Sequence, residues 1–296
     1  MKADRASATA LLIARSLLLA DATPSLRPLL VPDSAELTRR LLPAGPFEFA
    51  LRLRPVRAAL FAAERAFLPG IVLHWLARKC LLDAMAHEAL EGGCRQVVAL
   101  GAGLDTLAWR LQRAHPASMC FELDHPDTQA IKHRAFAQEP DGCAPALMAA
   151  DLLHASPAEV LRTHPRFDAR QPALFFAEGL LMYLPPDRAA ELVRDIATLA
   201  APGSRFAFTF IEPRAGRPLA FHHGHRAIDW WLRWRGEPFH WGLQCSEVAA
   251  FAEEHGWRLL ALSTPDELRR RFLVPQGLKH APLAAGESVA LLKREP

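Results

Sequence analysis

The sequence predicts an α/β protein in which a mostly parallel, seven-stranded sheet carries helices on both faces. Three observations support this: short apolar segments alternate with helical segments from Gln96 onward, the residues before them are helical, and the stretch 213–242 interrupts the alternation. The chain has 296 residues, of which 51% are hydrophobic, so it can bury one large core. We therefore expect a single domain, 1–296.

The first part of the chain, residues 1–92, is expected to form a helical cap. One predicted helix covers Ala8–Ala20, and a second begins near Asp33, which is a good N-cap residue. A third, long helix follows Pro69–Gly70 and ends at Glu91, where two glycines close it.

Composition and charge argue against several functions. The formal net charge is only +3 and there is no dense Lys/Arg stripe, so a nucleic-acid partner is not expected. No apolar run approaches the ~20 residues of a membrane span, and Arg15 interrupts the leucine-rich start that resembles a signal-peptide core. The five cysteines are odd in number and lack Cys-x-x-Cys spacing, which argues against a disulfide framework or a structural zinc. We expect a cytoplasmic protein with no membrane partner.

The middle and the end of the chain supply the expected sheet. Strands are predicted at 96–100, at 119–123, immediately before Asp151, and at 173–177, 205–211, 257–263 and 288–293. Helices are predicted at 104–113, from Pro126, at 157–163, 186–200 and 246–255, and from Pro265. Residues 93–212 would then form the cofactor-binding core, and 243–296 the rest of the sheet.

Residues 213–242 do not fit the alternation and contain four of the seven tryptophans. We interpret them as an insertion, or lid, over the carboxyl edge of the sheet, where ligands bind in such folds. The histidines 222, 223 and 225 would suit a metal ion, but no nearby Cys or carboxylate completes a ligand set, and no metal site is expected. They are either plain surface histidines or part of a substrate-facing loop with one candidate base.

The turn after the first strand is the strongest local signal. Gly101 and Gly103 let the backbone bend tightly and approach a ligand closely. A dinucleotide site has a third glycine at the position of Thr106 and rests a phosphate on the helix that follows. Here Asp105 puts a negative charge where that phosphate would lie. The turn therefore favours a cationic or zwitterionic ligand such as S-adenosylmethionine over a nicotinamide cofactor.

Acidic residues follow the next two strands. Asp124, with Glu122 as the alternative, lies about 20 residues after the glycines, where a carboxylate can accept hydrogen bonds from ribose hydroxyls. Its other interpretation is a helix cap before Pro126. Asp151 is placed to accept from an adenine amino group with Leu152 against the ring, or to be an N-cap or solvated loop acid.

The segment 174–184 combines two further polar side chains with a buried strand. Glu178 stands at the end of that strand before a glycine, a position where an acid is seldom needed for packing. Tyr183 is the single tyrosine of the chain, which indicates a hydroxyl that is used, with an amphipathic core aromatic as the alternative.

Taken in order, these segments resemble the leucine carboxyl methyltransferase family, closest to its bacterial branch of O-methyltransferases. The matching pieces are Gly-Ala-Gly-Leu-Asp-Thr with Trp109-Arg110-Leu111, then Phe-Glu-Leu-Asp-His-Pro, Asp-Leu, and Glu-Gly-Leu-Leu-Met-Tyr-Leu. The stretch from Thr9 to Asp33 and Pro69–Gly70 extend the likeness over nearly the whole chain. The resemblance implies a Rossmann-like class I methyltransferase fold with an insertion after the fifth strand, S-adenosyl-L-methionine as the cofactor and a small-molecule methyl acceptor.

The resemblance also implies roles for single residues. Arg78, on the helix before the first strand, would bind the methionine carboxylate, a task that a bidentate guanidinium suits. The other matches are Asp124 for the ribose, Asp151 for the adenine end, Glu178 near the methionine moiety and Tyr183 near the acceptor.

Two positions depart from the family pattern. Ala99 stands where methyltransferases of this class often carry an acid, two residues before the first glycine. Leu153 replaces the arginine with which the phosphatase-methylating branch binds its substrate carboxylate, so that substrate is in doubt. An NAD-dependent oxidoreductase and a non-catalytic binding protein that retained the fold are the alternative functions.

Overall fold

The computed structural model describes residues 7–43, 45–139 and 144–295. Within these ranges the strands are β1 (Gln96–Leu100), β2 (Met119–Asp124), β3 (Ala146–Ala149), β4 (Ala173–Ala177), β5 (Arg205–Ile211), β6 (Arg258–Ser263) and β7 (Glu287–Lys293). They form one seven-stranded sheet in the order β3-β2-β1-β4-β5-β7-β6. The expected α/β fold with a mostly parallel sheet is confirmed.

The direction of strand pairing locates the ligand-binding edge. Strands β1 to β5 pair in parallel, with Val98 of β1 opposite Phe121 of β2 and Phe175 of β4. Strand β7 is antiparallel to both β5 and β6. The order of the strands reverses between β1 and β4, and in such sheets ligands bind outside the carboxyl ends of the strands at this reversal.

The central strands are buried along their whole length and almost entirely apolar because helices cover both faces of the sheet. Every residue of β1 and β4 is buried. Val98 and Phe175 belong to one hydrophobic cluster, whereas their neighbours Val97 and Leu174 belong to another. Successive side chains of a strand point to opposite faces, so the two clusters are the cores on the two sides of the sheet.

Twelve α-helices of the described residues surround the sheet. They are α1 (Ala8–Asp21), α2 (Ser34–Leu41), α3 (Pro46–Ala50), α4 (Arg54–Phe67), α5 (Ile71–Glu91), α6 (Leu107–Ala114), α7 (Pro126–Ala135), α8 (Pro157–Arg162), α9 (Pro186–Leu199), α10 (Arg226–Arg235), α11 (Val248–Glu254) and α12 (Pro265–Leu268). Helix α10 lies in the stretch 213–242, which follows β5 as expected for the insertion.

The long helix α5 delivers polar side chains to the sheet. Its start requires Gly70, which has a φ of +79° and whose Cβ, if present, would lie 2.4 Å from the carbonyl oxygen of Pro282. Within this apolar helix, His74, Arg78 and Lys79 are buried. Since buried charges need partners, the helix predicts a polar cluster beneath it.

Two sequence-based details differ from the structure. Helix α2 begins where expected, but Asp33 lies in the left-handed region with a φ of +62° and its side chain makes no capping hydrogen bond, so its N-cap role was wrong. Helix α6 begins at Leu107 rather than at residue 104, because the residues before it form the turn that leaves β1.

Two further expectations concern membrane-spanning helices and the state of the cysteines. None of their helices is both long and apolar enough to cross a bilayer. Four cysteines, Cys80, Cys94, Cys120 and Cys245, are free thiols, and the fifth, Cys143, lies outside the described residues.

Candidate active site

A cavity of about 460 Å³ opens at the carboxyl ends of β1, β2 and β4. Its walls come from α1 and α5, from the turns after β1, β3 and β4, and from part of the insertion. The structure brings all of the sequence-predicted site residues to this one cavity: Arg78, Gly101, Gly103, Asp105, Asp124, Asp151, Leu152, Glu178 and Tyr183.

The turn after β1 needs glycine for conformation and for space. Gly101 and Gly103 have φ values of +61° and +54°, and a Cβ at Gly101 would lie 2.8 Å from Cδ1 of Leu180. Asp105 accepts a hydrogen bond from the backbone N–H of Thr106 at 2.7 Å, immediately before α6. The position where a dinucleotide would rest its phosphate therefore already holds a carboxylate of the protein.

Asp105 also takes part in an ion pair. Its Oδ1 lies 3.1 Å from Nζ of Lys79. Burial raises the pKa of Asp105, but Lys79 and Arg110 outweigh this and hold it well below its usual range. Asp105 is thus a fixed negative charge on the cavity wall.

Of the two acids considered for the ribose, the structure places only Asp124 at the cavity. Asp124 accepts hydrogen bonds from the backbone N–H groups of Gly103 and His125, and burial raises its pKa. Glu122 is 1% exposed and forms a 2.6 Å ion pair with Lys132, whose side chain is fully buried. Glu122 is not among the residues that line the cavity.

The residues after β3 form the opposite rim. Asp151 is exposed and accepts a hydrogen bond from the backbone N–H of Leu153 at 3.1 Å, as a solvated loop acid does. Leu152 is buried, and its neighbour Leu153 is 39% exposed; both line the cavity. This rim offers one carboxylate between apolar side chains.

A buried ionic cluster forms the floor of the cavity. Nε and Nη2 of Arg78 lie 2.9 and 2.8 Å from Oε1 of Glu178, and its Nη1 donates to both carboxylate oxygens of Glu287, at 2.6 and 2.7 Å. Nζ of Lys79 donates to Oε2 of Glu178 at 2.9 Å. One guanidinium thereby joins the end of β4 to the start of β7.

The deepest part of this cluster contains two residues that the sequence did not reveal. Nε2 of His74 lies 2.8 Å from Oε2 of Glu287, and each side chain is 1% exposed. Burial raises the pKa of Glu287, but Arg78 and His74 outweigh it and lower the pKa to about 2. The available signal was an acid directly before the last apolar strand, and two adjacent cations, Arg78 and Lys79, in an apolar helix.

Tyr183 and the insertion form the other end of the cavity. Tyr183 lies in a single 3₁₀ turn, Leu181–Tyr183, with its ring 5.4 Å from that of Phe239. Burial raises the pKa of its hydroxyl although the neighbouring Thr9 side chain opposes this, and the charge of Glu237 raises it further. Tyr183 is therefore a neutral phenol.

Glu237 connects the insertion to the start of α1. Its carboxylate accepts hydrogen bonds from the backbone N–H groups of Ala8 and Thr9, at 2.7 and 3.0 Å, and from the hydroxyl of Thr9 at 2.7 Å. A carboxylate at a helix N-terminus is stabilised by the exposed N–H groups and the helix dipole. The first helix and the insertion thus close over the cavity together.

The histidines of 222–225 lie away from the cavity. His222 contacts the backbone carbonyl of Glu212 at 3.2 Å, and His225 caps α10 by accepting from the N–H of Ala227. None of 222, 223 and 225 lines the cavity, but Phe221 and His240 do. Among the described residues no group of three or more metal-ligating side chains was found.

The model of the leucine carboxyl methyltransferase family matches residues 18–197, a range that includes every sequence-predicted site residue. The chain belongs to the leucine carboxyl methyltransferase family.

Relatives and a solved structure agree with this family. A protein of Mycolicibacterium smegmatis is 35% identical over 219 residues, covering 68% of this chain and 66% of the relative. One of Mycobacterium tuberculosis is 32% identical over 221 residues, covering 68% of each. Both are named as S-adenosyl-L-methionine-dependent methyltransferases. The crystal structure of a protein from Thermobifida fusca, titled as a methyltransferase, has a TM-score of 0.57 at 20% identity over 81% of this chain and 89% of its own, which supports the fold.

The family and its named relatives identify the chain as a methyltransferase that uses S-adenosylmethionine. The charges of the cavity fit this cofactor. Its described lining contains two side-chain cations, Arg78 and Lys79, and six carboxylates: Asp105, Asp124, Asp151, Glu178, Glu237 and Glu287. An excess of negative charge opposes a pyrophosphate and suits a ligand that carries a sulfonium and an ammonium with one carboxylate.

Proposed function

We propose that this methyltransferase transfers the methyl group to an oxygen atom of a small molecule, a hydroxyl or a carboxylate. The geometry that carries the proposal is one cavity with a charged floor under β1 and β4 and a mostly apolar end around Tyr183. The charged floor suits the cofactor, and the apolar end suits an organic acceptor.

Each predicted site residue has a role in this proposal. Asp124 accepts from the ribose hydroxyls, Asp151 with Leu152 holds the adenine, and the Gly101–Gly103 turn lets the backbone approach the ligand. Glu178 and Asp105 face the ammonium group of the methionine moiety. Arg78 meets the methionine carboxylate, and because it also contacts Glu178 and Glu287 it fixes the position of Glu178.

The bound cofactor would supply a methyl group on a positively charged sulfur. The residues of the chain align the two reactants and exclude water, which can account for much of the rate of an in-line displacement. Residues 1–92 act as a cap and 213–242 as a lid of one domain, and the bonds of Glu237 to Ala8 and Thr9 hold the lid in place. Tyr183 lies on the acceptor side.

The family and the cavity argue against the two alternative functions that the sequence left open. An NAD-dependent oxidoreductase is disfavoured because the carboxylate of Asp105 lies just before the helix that would hold a pyrophosphate. A non-catalytic binding protein is disfavoured because the acids on the strand ends all face one cavity. We also propose a cytoplasmic location, on the basis of the odd number of cysteines.

Calorimetry and methyl transfer test the proposal. The purified protein should bind S-adenosylmethionine and S-adenosylhomocysteine but not NAD. With labelled cofactor it should transfer label to small molecules, in a product whose methyl group is attached to oxygen. Binding of NAD without binding of either methionine cofactor would refute the proposal, as would a methyl group found only on nitrogen or carbon.

A further inference from the structure

We infer that the acceptor group is an uncharged hydroxyl, such as a phenol, rather than a carboxylate, and that His240 takes its proton. The inference rests on the proposed function, because it concerns the acceptor of the same cavity. It depends on the charges that line the cavity and on the partners of each basic side chain in it.

The cavity does not offer a cation to a second carboxylate. Arg78 and Lys79 are the side-chain cations of its described lining besides histidines, and both are already paired. Arg78 is held by Glu178 and Glu287, and Lys79 by Glu178 and Asp105. The cofactor's own carboxylate would take up the remaining N–H donors of these two cations. An acceptor carboxylate would then be desolvated among acids without a partner, which is strongly unfavourable.

The acceptor end is formed by weakly polar and apolar groups. Met182 and Phe221 line it together with the neutral phenol of Tyr183. A hydroxyl on an apolar skeleton suits these walls, because it can be desolvated at much lower cost than an ion.

A neutral hydroxyl needs a base, and the candidates differ in what they already bind. Glu237 accepts three hydrogen bonds from the start of α1. His125 accepts from the backbone N–H of Asp127 and lies beside Asp124, on the ribose side. Burial disfavours the ionised form of Tyr183 by raising its pKa. Each of these groups is committed elsewhere or poorly suited to accept a proton.

His240 differs from all of them. Its backbone N–H donates to the carbonyl of Met182 at 2.8 Å, which fixes it beside the turn that carries Tyr183. Its imidazole lines the cavity, is exposed, and has no hydrogen-bond partner among the described residues. Imidazole is the side chain that exchanges protons most readily near neutral pH.

The chemical step follows from this arrangement. A lone pair of the hydroxyl oxygen forms the new bond to the methyl carbon, while the methyl–sulfur bond breaks and its electron pair stays on sulfur. The hydroxyl proton passes to the imidazole of His240. The products are a methyl ether, a neutral thioether and an imidazolium, which returns its proton to solvent.

Matched acceptors test the acceptor class. Calorimetry on the protein saturated with S-adenosylhomocysteine would compare 4-alkylphenols with the 4-alkylbenzoic acids of equal chain length. We expect the phenols to bind at least tenfold more tightly and to yield methyl ethers, which resist alkali, whereas methyl esters are hydrolysed. Tighter or equal binding of the acids, binding of neither set, or an alkali-labile product would overturn the inference. Transfer to the acids alone would leave the proposed O-methyl transfer intact, and failure to bind S-adenosylhomocysteine would refute the proposed function itself.

Substitution of His240 tests the base. His240→Ala should lower the kcat for a phenol at least 100-fold while the affinity for S-adenosylhomocysteine stays unchanged, and added imidazole should restore part of the rate. His280→Ala is the matched control, since His280 is exposed and does not line the cavity. An unchanged kcat in His240→Ala, or a loss that imidazole does not restore, would remove His240 from the reaction.

Discussion

Two of the buried ionic groups in this molecule differ in position and in access to the cavity. The first group, the cavity cluster, consists of His74, Arg78, Lys79, Glu178 and Glu287. The second group, the closed pair, consists of Glu122 and Lys132. The closed pair is balanced in charge, its charged ends are hydrogen-bonded to each other, and neither residue lines the cavity. The cavity cluster has members on α5, β7 and the end of β4, and Arg78, Lys79, Glu178 and Glu287 line the cavity.

The difference shows what identifies a functional ion pair. Burial alone does not, since the closed pair is the more deeply buried of the two. A functional ion pair is identified instead by its position at the strand reversal between β1 and β4 and by its access to a cavity. Replacing members of the two groups should therefore affect stability in both cases and cofactor binding in only one.

The largest effect is expected for Arg78→Met. It leaves Glu287 and Glu178 without their guanidinium, and breaking a buried pair in this way costs about 3–5 kcal/mol of stability. Loss of a charge-assisted contact should also weaken cofactor binding by about 1.5–3 kcal/mol. Denaturant unfolding and calorimetry on the folded variant measure the two effects. A lower stability with an unchanged dissociation constant would make Arg78 purely structural and end the comparison.

The contributions of the two groups to the stability of the fold should change with pH in opposite directions. The pKa of Glu287 is lowered from 4.5 to about 2, so its contribution to stability is present above pH 4.5 and is lost as the pH falls toward 2. Burial raises the pKa of Glu122 from 4.5 to about 7 although Lys132 opposes this, so stability falls as the pH rises from 4.5 to 7. The Glu287 contribution is on the order of 3 kcal/mol.

Melting curves of two variants separate these contributions. In Glu287→Gln the melting temperature should fall much less between pH 4.5 and 2 than in the unsubstituted protein. In Glu122→Gln the melting temperature should change less between pH 4.5 and 7. An acid limb in Glu287→Gln identical to that of the unsubstituted protein would show that the Arg78–Glu287 contact does not stabilise the fold.

A smaller loss is expected for Lys132→Met. Glu122 then has no cationic partner, but it can take up a proton because its pKa is already raised, so the cost should be about 1–3 kcal/mol. The loss should shrink at pH 5, where Glu122 is neutral. Cofactor affinity should not change, and a fall in affinity of tenfold or more would show that the closed pair acts on the site.

The sequence predicted the sheet well where strands are continuous apolar runs between polar residues. The bounds of β1, β4 and β5 agree with the structure to the residue, because strands buried on both faces form nearly continuous apolar runs. Helix starts were harder: Asp33 was expected to cap α2, but its left-handed backbone points the side chain elsewhere. Local backbone conformation is not readable from residue type alone.

The candidate site was readable where topology alone places residues together. Asp105, Asp124 and Glu178 follow parallel strands, and such strand ends meet at one edge of the sheet. Glu287 and His74 could not be paired from the sequence, because their contact depends on β7 entering the sheet beside β5 under α5. The path of the insertion is equally unreadable from the sequence, so the clustered histidines 222, 223 and 225 stood out there although His240 is the one that lines the cavity.

The charged floor of the cavity is expected to bind the cofactor, and Glu178→Gln tests this most directly. The substitution keeps the shape of the side chain and removes its charge, in contact with Arg78 and Lys79. Calorimetric titration with S-adenosylhomocysteine, on samples whose melting temperature is recorded, should show at least a tenfold weaker affinity, about 1.4 kcal/mol, while Lys132→Met retains the original value. Normal affinity in Glu178→Gln with a lowered melting temperature would contradict the account.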